Sequence, residues 1–240
     1  MRPGIWFLSP FPFPVLARSI DPAVKVQVKI CGIRDPAVAL FAADRGADAI
    51  GLVFTESSRR VNIETARLIR DQLPPFVSLV TVFRDESADD VDAVVRAVRP
   101  HLVQYHGLRD TDDCIRAAHP AIKAFSLGSA DDLAIIDRFI ARCPWVPILV
   151  DASRPGSGQG CRWDLAGDLA CRSRLILAGG LSPENVADGI REVRPYAVDV
   201  SSGLEQVPGV KDPDLIDAFL RRVEEAGRRY LPRISSMVSG

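Results

Sequence analysis

From Lys25 onward the chain repeats one unit eight times: a short β-branched or apolar run, then an amphipathic stretch of about ten residues. The runs predict strands at Val26 to Ile30, Ala49 to Phe54, Val77 to Phe83, Leu102 to Tyr105, Ile122 to Phe125, Val146 to Val150, Leu175 to Ala178 and Ala197 to Val200. The stretches between them predict helices near Pro36 to Arg45, Ile63 to Gln72, Ala88 to Val98, Asp110 to Ala118, Ala130 to Cys143, Asp164 to Cys171, Pro183 to Val193 and Pro213 to Ala226. The runs do not alternate strictly, which suits strands covered on both faces, as parallel strands are. Eight such units in about 200 residues predict an α/β chain folded as a single-domain (β/α)8 TIM barrel. An open, doubly wound sheet is the rival, but no GxGxxG follows the first strand and eight regular units exceed what that fold needs. Asp35-Pro36, Ser182-Pro183 and Asp212-Pro213 each set a capping side chain before a proline at the first helical position. No linker or low-complexity stretch interrupts the units, so 25–228 reads as one catalytic domain and 229–240 as a C-terminal tail.

Residues 1–24 are different. They carry one early Arg among apolar side chains, which raises a signal peptide, yet four prolines before Val15 break the apolar core that such a peptide needs. The segment reads as an irregular N-terminal extension. No stretch approaches the roughly 20 apolar residues that span a bilayer. With 30 basic and 31 acidic residues the net charge is -1, so neither nucleic acid nor an anionic membrane is attracted in bulk. Any anion bound must meet a local site. The five cysteines (Cys31, Cys114, Cys143, Cys161, Cys171) form no CxxC pair and share no metal-ligand spacing with the histidines, which suits reduced thiols in a cytoplasmic protein. Helix faces leave both monomer and homodimer open.

A barrel makes function positional, because its catalytic groups sit where strands end and the following loops begin. Strand one ends in Cys31-Gly32, strand six in Asp151, strand seven in Gly179-Gly180 and strand eight in Ser201-Ser202-Gly203. The last two ends offer glycine N–H groups and two hydroxyls, the makings of a phosphate site on adjacent strands, although either alone would suit a tight turn equally. Free cysteine commonly just packs. At a strand end beside a phosphate site, Cys31 becomes a candidate base or nucleophile. Asp151 would serve as a helix cap or a partner for Arg154. It also follows the apolar run VPILV, where desolvation would favour its protonated form and make it an acid.

The segments VKICGI, VQYHG, PILVDAS, GSGQGCRWD, ILAGGLSPENV and YAVDVSSGLEQVPGVKDPDLI, in this order from about Val26 to Arg222, closely resemble phosphoribosylanthranilate isomerases. The resemblance implies the Amadori rearrangement of N-(5-phosphoribosyl)anthranilate to 1-(2-carboxyphenylamino)-1-deoxyribulose 5-phosphate in tryptophan biosynthesis. The substrate is a small phosphosugar, and no metal, cofactor, nucleic acid or membrane is implied. In that chemistry Asp151 is the general acid and Cys31 the general base. Arg59 of SSRRV corresponds to an arginine facing the substrate, suited to bidentate contact with the anthranilate carboxylate, with Arg60 as the fallback. Gln104 and His106 match the strand-four motif, His106 either orienting substrate or serving structure. Asp199 is placed near the anthranilate amine, and Gly156, Ser157 and Gly158 in a loop that closes over the site. The chain departs from the family where Gly160, Cys161 and Arg162 precede Trp163. Another phosphosugar isomerase, and a degenerate barrel that binds a phosphorylated ligand without turnover, are the alternatives.

Overall fold

The computed structural model of the chain describes residues 25–107, 119–151 and 163–228. The N-terminal extension, Cys114 and the helix expected near Asp110 to Ala118, the loop with Gly156, Ser157, Gly158, Gly160, Cys161 and Arg162, and the C-terminal tail lie outside the described residues.

Eight parallel strands close on themselves in sequence order: β1 (Gln27–Cys31), β2 (Ala49–Val53), β3 (Ser78–Phe83), β4 (Leu102–Tyr105), β5 (Ala121–Ser126), β6 (Ile148–Asp151), β7 (Leu175–Ala178) and β8 (Ala197–Val200). The seam pairs β8 with β1, Asp199 lying opposite Lys29. The described helices are α1 (Pro36–Asp44), α2 (Ile63–Gln72), α3 (Ala88–Val98), α4 (Ala130–Arg142), α5 (Trp163–Ala170), α6 (Val186–Val193) and α7 (Pro213–Arg228). The expected barrel is thus the observed one.

Alternation along each strand separates two cores. Ile30, Ile50, Leu52, Leu79, Phe83, Ile148 and Leu177 point outward and are buried with Phe219 of α7 in the layer beneath the helices. Each such side chain contributes about 1.5–3 kcal/mol by leaving water. Val80, Ile122, Ala124, Leu149, Ile176, Ala178 and Ala197 point inward and plug the barrel. Above this plug the interior turns polar, and the site lies there.

Asp35 caps α1 by accepting from Ala37 N at 2.7 Å, and Asp212 accepts from Asp214 N at 2.8 Å at the start of α7, as their Asp-Pro pairs foretold. The third pair differs. Helix α6 begins at Val186 rather than Pro183, because Ser182 Oγ donates to Glu184 and Asn185 Oδ1 accepts from Ser182 N, folding 182–185 into a turn. Between β8 and α7 the chain adds a 3-10 turn (Ser202–Leu204) and a hairpin, β9 (Glu205–Val207) with β10 (Val210–Lys211), which the repeat pattern did not foretell.

Candidate active site

A cleft of about 600 Å³ opens at the C-terminal end of the strands. Cys31, Arg59, Gln104, His106, Asp151, Gly179, Gly180, Asp199, Ser201 and Ser202 all line it. Arg60 does not; it is exposed and pairs with Glu56, so Arg59 is the arginine that the cleft sees. Gly203 stands just behind the lining, where a Cβ would sit 2.0 Å from the Leu181 carbonyl oxygen. It allows the loops after β7 and β8 to touch.

Lys29 and Cys31 occupy successive inward positions of β1, while Val28 and Ile30 face the helices. The thiol packs with Val53 and Val82 and is 8% exposed. Room for it comes from Gly51 on β2, where a Cβ would lie 2.9 Å from Cys31 Sγ and 3.1 Å from Lys29 Nζ. Burial pushes the Cys31 thiol up from its ordinary value; Lys29 opposes the shift without cancelling it. Lys29 Nζ donates to Asp199 Oδ1 at 2.8 Å. Burial works against this ammonium too, but Asp199 and Cys31 outweigh it and Lys29 stays charged. Asp199, expected near the substrate's amine, therefore lines the cleft while anchored from below.

The loop after β7 turns through positive φ at Gly179 (96°) and Gly180 (62°), a conformation that favours glycine. The N–H groups of Gly180, Ser202 and Gly203 have no acceptor among the described residues. The Ser201 hydroxyl, by contrast, is in use: it donates to the Cys31 carbonyl at 3.1 Å and accepts from Lys211 Nζ at 3.3 Å.

Arg59 is less free than its place in the sequence suggests. Its Nε and Nη2 donate to the two carboxylate oxygens of Glu205, each at 2.7 Å. Lys211 Nζ also donates to Glu205 at 2.8 Å and to the Ser201 carbonyl at 2.9 Å. Burial alone would raise the Glu205 carboxyl, but Arg59 and Lys211 pull it down to about 2. One edge of the guanidinium is thus committed to the protein, and only the Nη1 side remains for a ligand. Gly32, at φ 77°, leaves space for this arginine, since a Cβ there would meet Arg59 Cδ at 2.6 Å.

Asp151 ends β6 and is half-buried at the rim. Gln104 Nε2 lies 2.6 Å from His106 Nε2; with the amide donating, the imidazole carries its proton on Nδ1. Burial, with help from Lys29 and Arg84, drives His106 down to about 4 against the pull of Asp151, so the ring is neutral at physiological pH. Gln104 Oε1 is buried without a partner among the described residues, an acceptor held ready for a donor from the cleft.

The sequence profile of the N-(5'-phosphoribosyl)anthranilate (PRA) isomerase family matches residues 28–222. The chain belongs to the phosphoribosylanthranilate isomerase family. A relative of that name from Trichlorobacter lovleyi is 44% identical over 208 residues, covering 84% of this chain and 99% of its own. One from Desulforamulus reducens is 42% identical over 200 residues, covering 83% and 96%. Among solved structures, the isomerase of Thermotoga maritima superposes with a TM-score of 0.77 at 40% identity, over 83% of this chain and 99% of that one. A family structure in complex with reduced 1-(o-carboxyphenylamino)-1-deoxyribulose 5-phosphate gives 0.75 at 39% identity, over 83% and 99%.

The reading of strand ends missed Glu56, Arg84 and Asp85 of the lining, and behind it the charged residues Lys29, Glu205 and Lys211 that hold the lining in place. Lys29 had a signal, a lysine two positions before Cys31 in an otherwise apolar strand, where period two puts both on one face. Glu205 and Lys211 lay within the family-like segment after strand eight, but their partner Arg59 is remote in sequence.

Proposed function

We propose that the chain isomerises N-(5-phosphoribosyl)anthranilate to 1-(2-carboxyphenylamino)-1-deoxyribulose 5-phosphate, with Asp151 as general acid and Cys31 as general base. The observation that carries this is the order of groups around the barrel mouth. Asp151 ends β6 and Cys31 ends β1, and between them stand the glycine and serine loops of β7 and β8. A phosphate held by the N–H groups of Gly180 and Ser202 puts the sugar between acid and base. The arginine on the far side of Cys31, Arg59, then meets the aryl carboxylate through Nη1.

Asp151 protonates the furanose ring oxygen as the C1–O bond breaks, and the anthranilate nitrogen lone pair forms the C1=N iminium. The Cys31 thiolate takes the proton from C2. The C2–H electron pair makes the C1=C2 double bond of an enolamine, and nitrogen regains its lone pair. Protonation at C1 and loss of the O2 proton give the ketone. No oxidant or reductant enters, so the sequence balances without a cofactor. Gln104 Oε1 would accept from a sugar hydroxyl, and neutral His106 holds that amide in place. Membership in a biosynthetic isomerase family supports a cytoplasmic enzyme.

The test is turnover of freshly made phosphoribosylanthranilate, followed as loss of anthranilate fluorescence without added metal. We expect Cys31→Ser and Asp151→Asn each to lower kcat by about 10² or more. Wild-type turnover by Asp151→Asn would remove it as the acid. An inactive wild-type chain that still binds the product would favour the degenerate barrel.

A further inference from the structure

The described mechanism uses Cys31 but leaves the buried cation beneath it unexplained. Lys29 is 3% exposed and gives one hydrogen bond to Asp199 at 2.8 Å. The same ammonium lies beside the Cys31 thiol. The one small volume above Gly51 is shared by Nζ and Sγ. Valines wall the rest of the thiol, Val53 from β2 and Val82 from β3. A thiolate formed among such walls loses its water and has to be compensated by charge nearby. The groups that face this space are Asp199 from β8, Lys211 from β10, Arg59 from the loop after β2, and, toward Lys29, His106 beyond β4. Of the cations, Arg59 and Lys211 are both bonded to Glu205, and His106 is neutral. Lys29 adjoins the sulfur across the space that Gly51 leaves, and of these groups its charge does most to favour the thiolate.

We propose that Lys29 is a positioning residue whose ammonium, anchored by Asp199, holds and compensates the Cys31 sulfur each time it gives up and regains a proton. Lys29 keeps its own proton throughout. Its charge is balanced by Asp199 when Cys31 is a thiol and shared with the thiolate when the proton has left. The inference rests on the reading of Cys31 as the base.

The experiment is alkylation of Cys31 by iodoacetamide in the free enzyme across pH, read by mass spectrometry of the Cys31 peptide, beside the pH profile of kcat/KM. In Lys29→Met we expect both midpoints to rise by about one pH unit or more, which is roughly tenfold less modification at any pH on the rising limb. Lys29→Arg, which keeps the charge, should recover most of that loss. Removing Lys29 alone leaves Asp199 buried without its partner and can unfold the chain, so Lys29→Met/Asp199→Leu provides a second variant in which charge and countercharge leave together. It should fold and shift upward by less than Lys29→Met does, because Asp199, which raises the thiol, leaves with the lysine that lowers it. An unmoved alkylation midpoint in the folded Met variants overturns the proposal. Full turnover by Cys31→Ser would instead overturn the base assignment, while the alkylation shift would still stand as a property of the thiol.

Discussion

Two buried lysines stand beside Cys31, and the protein holds them differently. Lys211 is saturated: its ammonium donates to Glu205, to the Ser201 carbonyl and to the Ser201 hydroxyl, and the first of these acceptors also takes the fork of Arg59. Lys29 has one carboxylate, Asp199, and stands beside the thiol across the space that Gly51 leaves. Burial lowers Lys211 despite Glu205, whereas Asp199 and Cys31 overcome burial and raise Lys29. The first cluster is a strut that ties the loop after β2 to the β9–β10 hairpin. The second places a charge against the thiol that we propose as the base. Two salt bridges of equal length, each 2.8 Å, thus stand in different surroundings, one inside a network of acceptors and one beside the Cys31 thiol.

The comparison breaks most easily at Lys211. Lys211→Met removes one partner of a buried pair and should cost about 3 kcal/mol in urea unfolding. It should move Cys31 alkylation far less than Lys29→Met does; equal shifts would erase the distinction between strut and cofactor-like charge. Glu205→Gln comes next, at about 1.5 kcal/mol near neutral pH, because it weakens charge-assisted bonds but leaves a hydrogen-bonding amide. Glu205 titrates at about 2 in the fold against an ordinary 4.5, so its contribution is complete above about pH 4.5 and fades as the pH falls toward 2. The stability difference between wild type and Glu205→Gln should therefore shrink along that window, and a difference that grows with acid would contradict the network. With its anchor weakened, Arg59 should also bind the carboxylate less well, seen as a higher KM at nearly constant kcat. Smallest is Arg60→Ala. Its ion pair with Glu56 is exposed, so stability should stay within about 0.5 kcal/mol, with kcat/KM within about twofold since the side chain is outside the cleft.

Much of the architecture was legible because the barrel writes itself locally. Each strand needs only a short apolar run and each helix only a cap and an amphipathic stretch, so β4, β7, β8 and α2 fall on their expected bounds. The β9–β10 hairpin was not legible, because its strands have three and two residues, and Val207 and Val210 are exposed. Their pairing depends on the turn at Gly209, whose φ is 86°, and on Lys211 reaching back to Ser201. Cys31, Asp151 and the paired glycines could be found by position at strand ends. The saturation of Arg59 could not, since Glu205 lies 146 residues away and only the closed barrel makes them neighbours.

Gly51 differs from Gly179 and Gly180 of the loop after β7. Its φ is an ordinary one, so no backbone demand excludes a side chain there. What excludes it is three heavy atoms, Sγ and Cα of Cys31 and Nζ of Lys29, already crowding the space that a single methyl group would take. The spacing between proposed base and cation is thus set by an atom that the neighbouring strand leaves out. Alanine at this position would act as a wedge one carbon wide, disturbing the Cys31–Lys29 pair without touching the charge, hydrogen-bonding capacity or identity of either member.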